Sequence, residues 1–188
     1  MERKTVYFDK PGKENTEALL KTVKDYADAF GVRDIVVAST SGETGVAASK
    51  MLHGYNVVVV THHTGFSELG VQQLMEEHRK EMLESGVKVF TGTHALSSVE
   101  RAVRKMFNTL QPLELMASTL RLMGEGTKVC VEITLMAADA GLIPCDRDII
   151  AVAGTGHGAD TALLIKPANA ARFFDLKIRE IIAKPRDF

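Results

Sequence analysis

Residues 15–61 read NTEALLKTVKDYADAFGVRDIVVASTSGETGVAASKMLHGYNVVVVT, and the pattern of this stretch decides the fold. From Asn15 to Phe30 the apolar residues Leu19, Leu20, Val23, Ala27 and Phe30 recur at helical spacing, and Gly31 supplies the stop. Asp34–Ser39 and Asn56–Thr61 are short β-branched runs bounded by turn residues, which is how strands read. Between them Val46, Ala47, Ala48 and Met51 suggest a second helix. Strand, helix and strand in that order make a βαβ unit in a mostly parallel sheet.

The same alternation continues on both sides. Lys4–Asp9, Val87–Thr91 and Asp148–Ala153 are further strand candidates. A helix starting at Ser97 carries Val99, Ala102, Val103, Met106 and Phe107, with Ser97 and Glu100 at the spacing of a capping box. Pro112 opens another helix with Leu113, Met116, Ala117 and Leu120, and Gly124 and Gly126 separate it from a helix over about Thr127–Ala140. The segment Thr161–Lys166 is too short and β-rich for a crossover helix. In the tail, Phe174, Leu176 and Ile178 alternate with Asp175, Lys177 and Arg179. Both read as strands, which implies antiparallel pairing at one edge of a mixed sheet. No repeat or linker interrupts the 188 residues, so one α/β domain over 1–188 is expected.

Composition narrows the partners. With 45% apolar and 25% charged residues the chain is neither disordered nor fibrous. Its apolar runs, such as Val57–Val60, fall far short of the roughly 20 residues a bilayer span needs, and no membrane partner is expected. The start MERKTVYFDK lacks a hydrophobic signal segment and Cys130 and Cys145 are the two cysteines, so a reduced, cytoplasmic protein is expected. The 23 Lys plus Arg balance 24 Asp plus Glu, which leaves no electrostatic footprint for nucleic acid.

In an open α/β sheet, ligands bind beyond the carboxyl ends of the parallel strands. The loops there read STSGETG at 39–45, THHTGF at 61–66, TGTHA at 91–95 and AGTGHGAD at 153–160. They combine Gly, Thr and Ser with His62, His63, His94 and His157, and their convergence on one edge predicts a site. The sharpest motif is Thr40-Ser41-Gly42-Glu43-Thr44 between a strand and a helix, where backbone amides and hydroxyls suit a phosphate. A plain helix cap is the alternative. No GxxxxGK[ST] pattern is present, so ATP hydrolysis has no support. Gly154, Gly156 and Gly158 do not make a dinucleotide fingerprint, because a strand and not a helix follows them; a close-approach loop placing His157 and Asp160 near a ligand is expected.

Thr61, His62, Gly65, Phe66, Thr91, Gly154, Thr155, Gly156 and His157 join the 40–44 loop as candidate binding residues, and His62, His94 and His157 are the candidates for proton transfer. The histidine spacing matches no metal motif, and no metal is expected. Cys130 reads as a buried inert thiol, His53 and His78 as helical residues with structural roles. Glu132, in an apolar helix, is either a paired core carboxylate or a pocket residue.

The segment 15–51 followed by NVVVVT resembles the start of the C-terminal domain of pyruvate kinase, where helix, strand and an STSGxT-type loop follow in the same order. RDIIAVAGTGHGADTALLIKP resembles the strand, glycine turn and strand that finish that domain, whereas Gln111–Cys145 and the tail beyond Pro167 depart from it. The whole chain is similar to small stand-alone prokaryotic, largely archaeal proteins consisting of this domain. The resemblance implies a three-layer α/β/α sandwich, a phosphate site on Thr40, Ser41, Gly42, Glu43 and Thr44, and FMN as the cofactor. It does not imply phosphoryl transfer from phosphoenolpyruvate, which belongs to a barrel domain. The leading expectation is thus binding of a phosphorylated small molecule, FMN first. The alternatives are a flavin-dependent oxidoreductase or phosphometabolite hydrolase, and a metabolite-sensing module; a homo-oligomer is compatible with each.

Overall fold

The computed structural model describes residues 2–188. A seven-stranded sheet runs through the molecule. In chain order the elements are β1 (Val6–Phe8), α1 (Thr16–Phe30), β2 (Asp34–Ala38), α2 (Glu43–Met51), β3 (Asn56–Thr61), α3 (Glu76–Glu84), β4 (Lys88–Thr91), α4 (Ser98–Phe107), α5 (Pro112–Arg121), α6 (Glu125–Asp139), β5 (Ile149–Ala153), β6 (Thr161–Lys166) and β7 (Lys177–Pro185). Strand order is β1-β7-β6-β5-β2-β3-β4.

The expected parallel unit is present: β2 pairs parallel with β3, Ile35 beside Val57 and Val37 beside Val59, and β5 lies on its other side. Alternate side chains of these strands leave through opposite faces. Ile35, Val37, Val57 and Val59 meet Leu19, Leu20 and Val23 of α1, Ala48 of α2 and Met82 of α3 in one core. Val36, Val58, Val60 and Ala151 meet Cys130, Ile133 and Ala137 of α6 and Ala117 of α5 in the other. Two cores on two faces make the α/β/α sandwich, and β2 and β5 are buried along most of their length, as strands covered on both faces must be.

Some elements depart from the sequence reading. The antiparallel strand is interior: β6 pairs antiparallel with β5 and with β7, and β1 then pairs parallel with β7 as the outermost strand. Phe174 lies in a 3-10 segment, Ala170–Asp175, and the last strand starts at Lys177. The capping box at Ser97 does not form. Ser97 makes no side-chain cap bond, and Glu100 accepts the Leu113 amide of the next helix at 2.8 Å. His53 sits in the turn after α2. Gly31 does stop α1, at φ 69°, with the Val32 amide returning to Ala27 O at 3.0 Å.

Candidate functional site

The carboxyl ends of β2, β3 and β5 open into a cavity of about 870 Å³, further lined by α4, α5 and α6. Its wall on the β2 side is the segment the sequence singled out. Thr40, Ser41, Glu43 and Thr44 line it, and α2 starts there. Ser39 Oγ accepts the Gly45 amide at 3.1 Å, so the first turn of α2 is already capped from beneath. The amides of Glu43 and Thr44, by contrast, have no hydrogen-bond acceptor among the described residues. A helix start with open amides and three neighbouring hydroxyls attracts an anion.

Gly42 has another role. It adopts φ 104°, and a Cβ built on it would meet His78 Cβ at 2.4 Å and Leu74 Cδ1 at 2.9 Å. His78 Nδ1 lies 2.9 Å from Ser41 O, which also accepts the Met75 amide. The loop is therefore clamped from behind by α3, and Gly42 gives α3 its close approach without lining the cavity.

On the β3 side the cavity is aromatic. His62 stacks on Phe66 with ring centroids 3.9 Å apart, His94 lies 5.3 Å from both, and His63, which does not line the cavity, lies 5.1 Å from His94. His62 is held at both nitrogens, Nδ1 by Gln73 Oε1 at 2.8 Å and Nε2 by Thr40 Oγ1 at 3.5 Å. That bond ties the first loop to the second. Among the described residues no three His, Cys, Asp or Glu side chains converge as metal ligands.

The floor, on α6, carries charge. Lys128 Nζ donates to Glu132 Oε2 at 2.5 Å, Glu132 Oε1 accepts the Leu96 amide at 3.0 Å, and His94 Nδ1 stands 3.9 Å from the same carboxylate. All three side chains are buried, and burial pushes the His94 imidazole down to about 4 despite the pull of Glu132. His94 is a neutral ring at neutral pH. Both readings of Glu132 thus hold: it is paired, and it faces the cavity. Lys128 was not singled out, although Lys128 and Glu132, four apart among Val129, Cys130, Val131 and Ile133, were a visible signal. Cys130 is fully buried with its thiol pushed up by desolvation, as an inert thiol should be.

The glycine loop after β5 closes the remaining side. Gly154, Gly156 and His157 line the cavity. The loop is tight, since a Cβ on Gly154 would strike Gly158 O at 2.4 Å and one on Gly158 would strike Lys13 Cα at the same distance. Asp160, fully buried, accepts the Thr155 and Gly12 amides at 3.1 and 3.2 Å and the Thr161 hydroxyl at 2.7 Å. It pins the loop and does not line the cavity. Thr155, Gly65 and Thr91 are also off the wall: Gly65 bonds Val71 O in a surface turn, and Thr91 Oγ1 lies 2.7 Å from the lining residue Thr61. Arg101 and Arg104 of α4, Arg121 of α5 and Glu100 and Glu114 line the opposite side, none of them anticipated. Their signal was faint, because charges at exposed helical spacing are the usual solvated face.

Residues 17–165 match the family described as pyruvate kinase, alpha/beta domain. Among solved structures, a pyruvate kinase from Cryptosporidium parvum in complex with ADP is 17% identical, over 79% of this chain and 22% of that one, with a TM-score of 0.38. A second pyruvate kinase structure from the same organism is 15% identical over 75% of this chain and 20% of that one, with a TM-score of 0.35. The chain spans about a fifth of the length of these kinases.

Proposed function

The chain belongs to the pyruvate kinase alpha/beta domain family, and from that premise we propose that it binds a phosphorylated small molecule, FMN first, in the cavity at the carboxyl end of the sheet. One observation carries the reading: the start of α2 opens into a large cavity with two open amides and the hydroxyls of Thr40, Ser41 and Thr44 beside it. A phosphate suits that corner. The rest of the cavity fits a planar ring system, with Val60, Leu96, Ile133 and Met136 as apolar walls, Phe66 and His62 as a stacking face, and about 870 Å³ of room. Glu43 opposes an anion in charge, but its side chain is exposed at the mouth. When bound, a flavin would supply electron transfer; this chain's own residues would hold the phosphate, stack on the ring and exclude water.

Calorimetry with FMN, riboflavin and inorganic phosphate tests the reading. FMN should bind, riboflavin should bind much more weakly for want of the phosphate, and FMN binding should fall in Thr44→Val. Equal affinity for FMN and riboflavin would take the phosphate off the 40–44 loop.

A second reading, an enzyme, is favoured by the buried His94–Glu132–Lys128 group on the cavity floor. Ionisable side chains gathered in a cleft with one pKa displaced are what proton transfer uses. Loss of reduced-nicotinamide oxidation in His94→Gln, with FMN still bound, would place the chemistry there.

A further inference from the structure

Helix α4 faces the wrong way for a surface helix. Val99, Ala102, Val103 and Met106 recur at helical spacing, a stripe that such helices bury. Here Val99 is 75% and Met106 78% exposed, Phe107 and Leu110 beyond are 64% and 68% exposed, and α4 has no buried residue. On its other side Glu100 and Arg104 bond to the neighbouring helix α5 instead. Glu100 holds the Leu113 amide, Arg104 Nη1 pairs with Glu114 at 3.0 Å, and with Arg101 they wall the cavity. A helix of ten residues does not hold itself in water, where stability comes from packing an apolar face. The pattern of α4 calls for a cover that the described residues do not provide.

We propose that the outward stripe of α4 is the contact surface for a second copy of this chain, in a two-fold dimer that pairs the two helices antiparallel. The area suffices. The exposed parts of Val99, Ala102, Met106, Phe107 and Leu110 come to roughly 600 Å², the upper end of what a monomer leaves uncovered. Two copies would then bury on the order of 1,200 Å², where specific interfaces begin. The stripe is also self-complementary in size. A two-fold axis passing between Ala102 and Val103 sets Val99 of one copy against Met106 of the other and leaves the smaller side chains at the centre, where the backbones approach most closely. No charged residue interrupts the stripe. The pairing braces one wall of the binding cavity from outside, whatever that cavity holds.

Sedimentation velocity across the micromolar range should find a dimer for the unmodified chain. Met106→Lys should sediment as a monomer with an unchanged circular dichroism spectrum. Phe174→Lys, at a 77% exposed site outside the stripe, should remain a dimer. The register is read separately: the double variant Val99→Cys, Met106→Cys should yield a covalent dimer on oxidation, whereas Met106→Cys alone should not. This cross-link reports the contact even if Met106→Lys does not fold. A monomer at every concentration overturns the proposal, as does a dimer that survives Met106→Lys, a dimer whose paired cysteines stay unlinked, or a monomer that binds anionic vesicles through the stripe.

Discussion

Lys128 and Glu132 stand one turn apart on α6 and bond at 2.5 Å, both with side chains less than a tenth exposed. Desolvation takes much of what such a pair gains from attraction, but removing one partner strands the other. Lys128→Ala should therefore cost about 3–5 kcal/mol in a denaturant titration. The double variant Lys128→Met, Glu132→Leu should recover much of that loss. A double variant as unstable as the sum of the singles would mean that the pair is not a coupled unit.

His94 predicts a pH dependence. Its folded pKa, about 4, lies below the ordinary 6.5 because burial disfavours the cation. Between those values the unfolded chain binds more protons, so stability rises with pH there, is complete above about 6.5 and is lost as pH falls toward 4. The contribution is about 3 kcal/mol at most. Unfolding free energies measured from pH 4 to 7 should show this slope, and His94→Gln should flatten it.

Gly42→Ala is expected to act on stability more than on binding. The new Cβ meets His78 and Leu74 and must hold φ 104°, so a loss of about 2 kcal/mol or more should appear in thermal unfolding. Thr44→Val, which keeps its volume, should do the reverse. It should weaken FMN roughly tenfold, the equivalent of about 1.5 kcal/mol for a hydroxyl to a charged phosphate, with a midpoint close to that of the unmodified chain.

Asp160 should make the glycine loop rigid before any ligand arrives. One carboxylate oxygen takes the Thr155 and Gly12 amides together. The Thr155 and Asp160 amides should exchange slowly in the free protein, and Asp160→Ala should speed them and destabilise the fold by about 2 kcal/mol or more. Fast exchange in the unmodified protein would mean the loop is open until a ligand closes it.

The parallel half of the sheet was legible because β-branched runs and a helical stripe from residue 15 to 61 each obey one period. So was the loop after β2, where Thr40, Ser41 and Thr44 follow a strand, start a helix and line the cavity. Gly42 was legible as a constrained glycine but not in its cause, since the constraint comes from His78, 36 residues further on. Arg101 and Arg104 were hidden for a related reason. A helix pattern says which face is polar but not what that face borders, and on α4 it borders the cavity. The interior position of β6 comes from β7 pairing on its far side, and β1 then crosses to the outer edge of β7, a pairing over almost the whole chain that no local pattern encodes.

That pairing sets an order of events during synthesis. Val6 lies beside Ala183 and Phe8 beside Pro185, and the Arg186 amide returns to Phe8 O at 2.8 Å. Of the seven strands β1 is made first and β7 last, so β1 waits for its neighbour while the others are made. The strand is only three residues long, which gives another chain little edge to pair with in the meantime. A nascent chain stalled short of residue 177 should hold β2, β3 and β5 protected from protease while residues 4–9 remain open to cleavage.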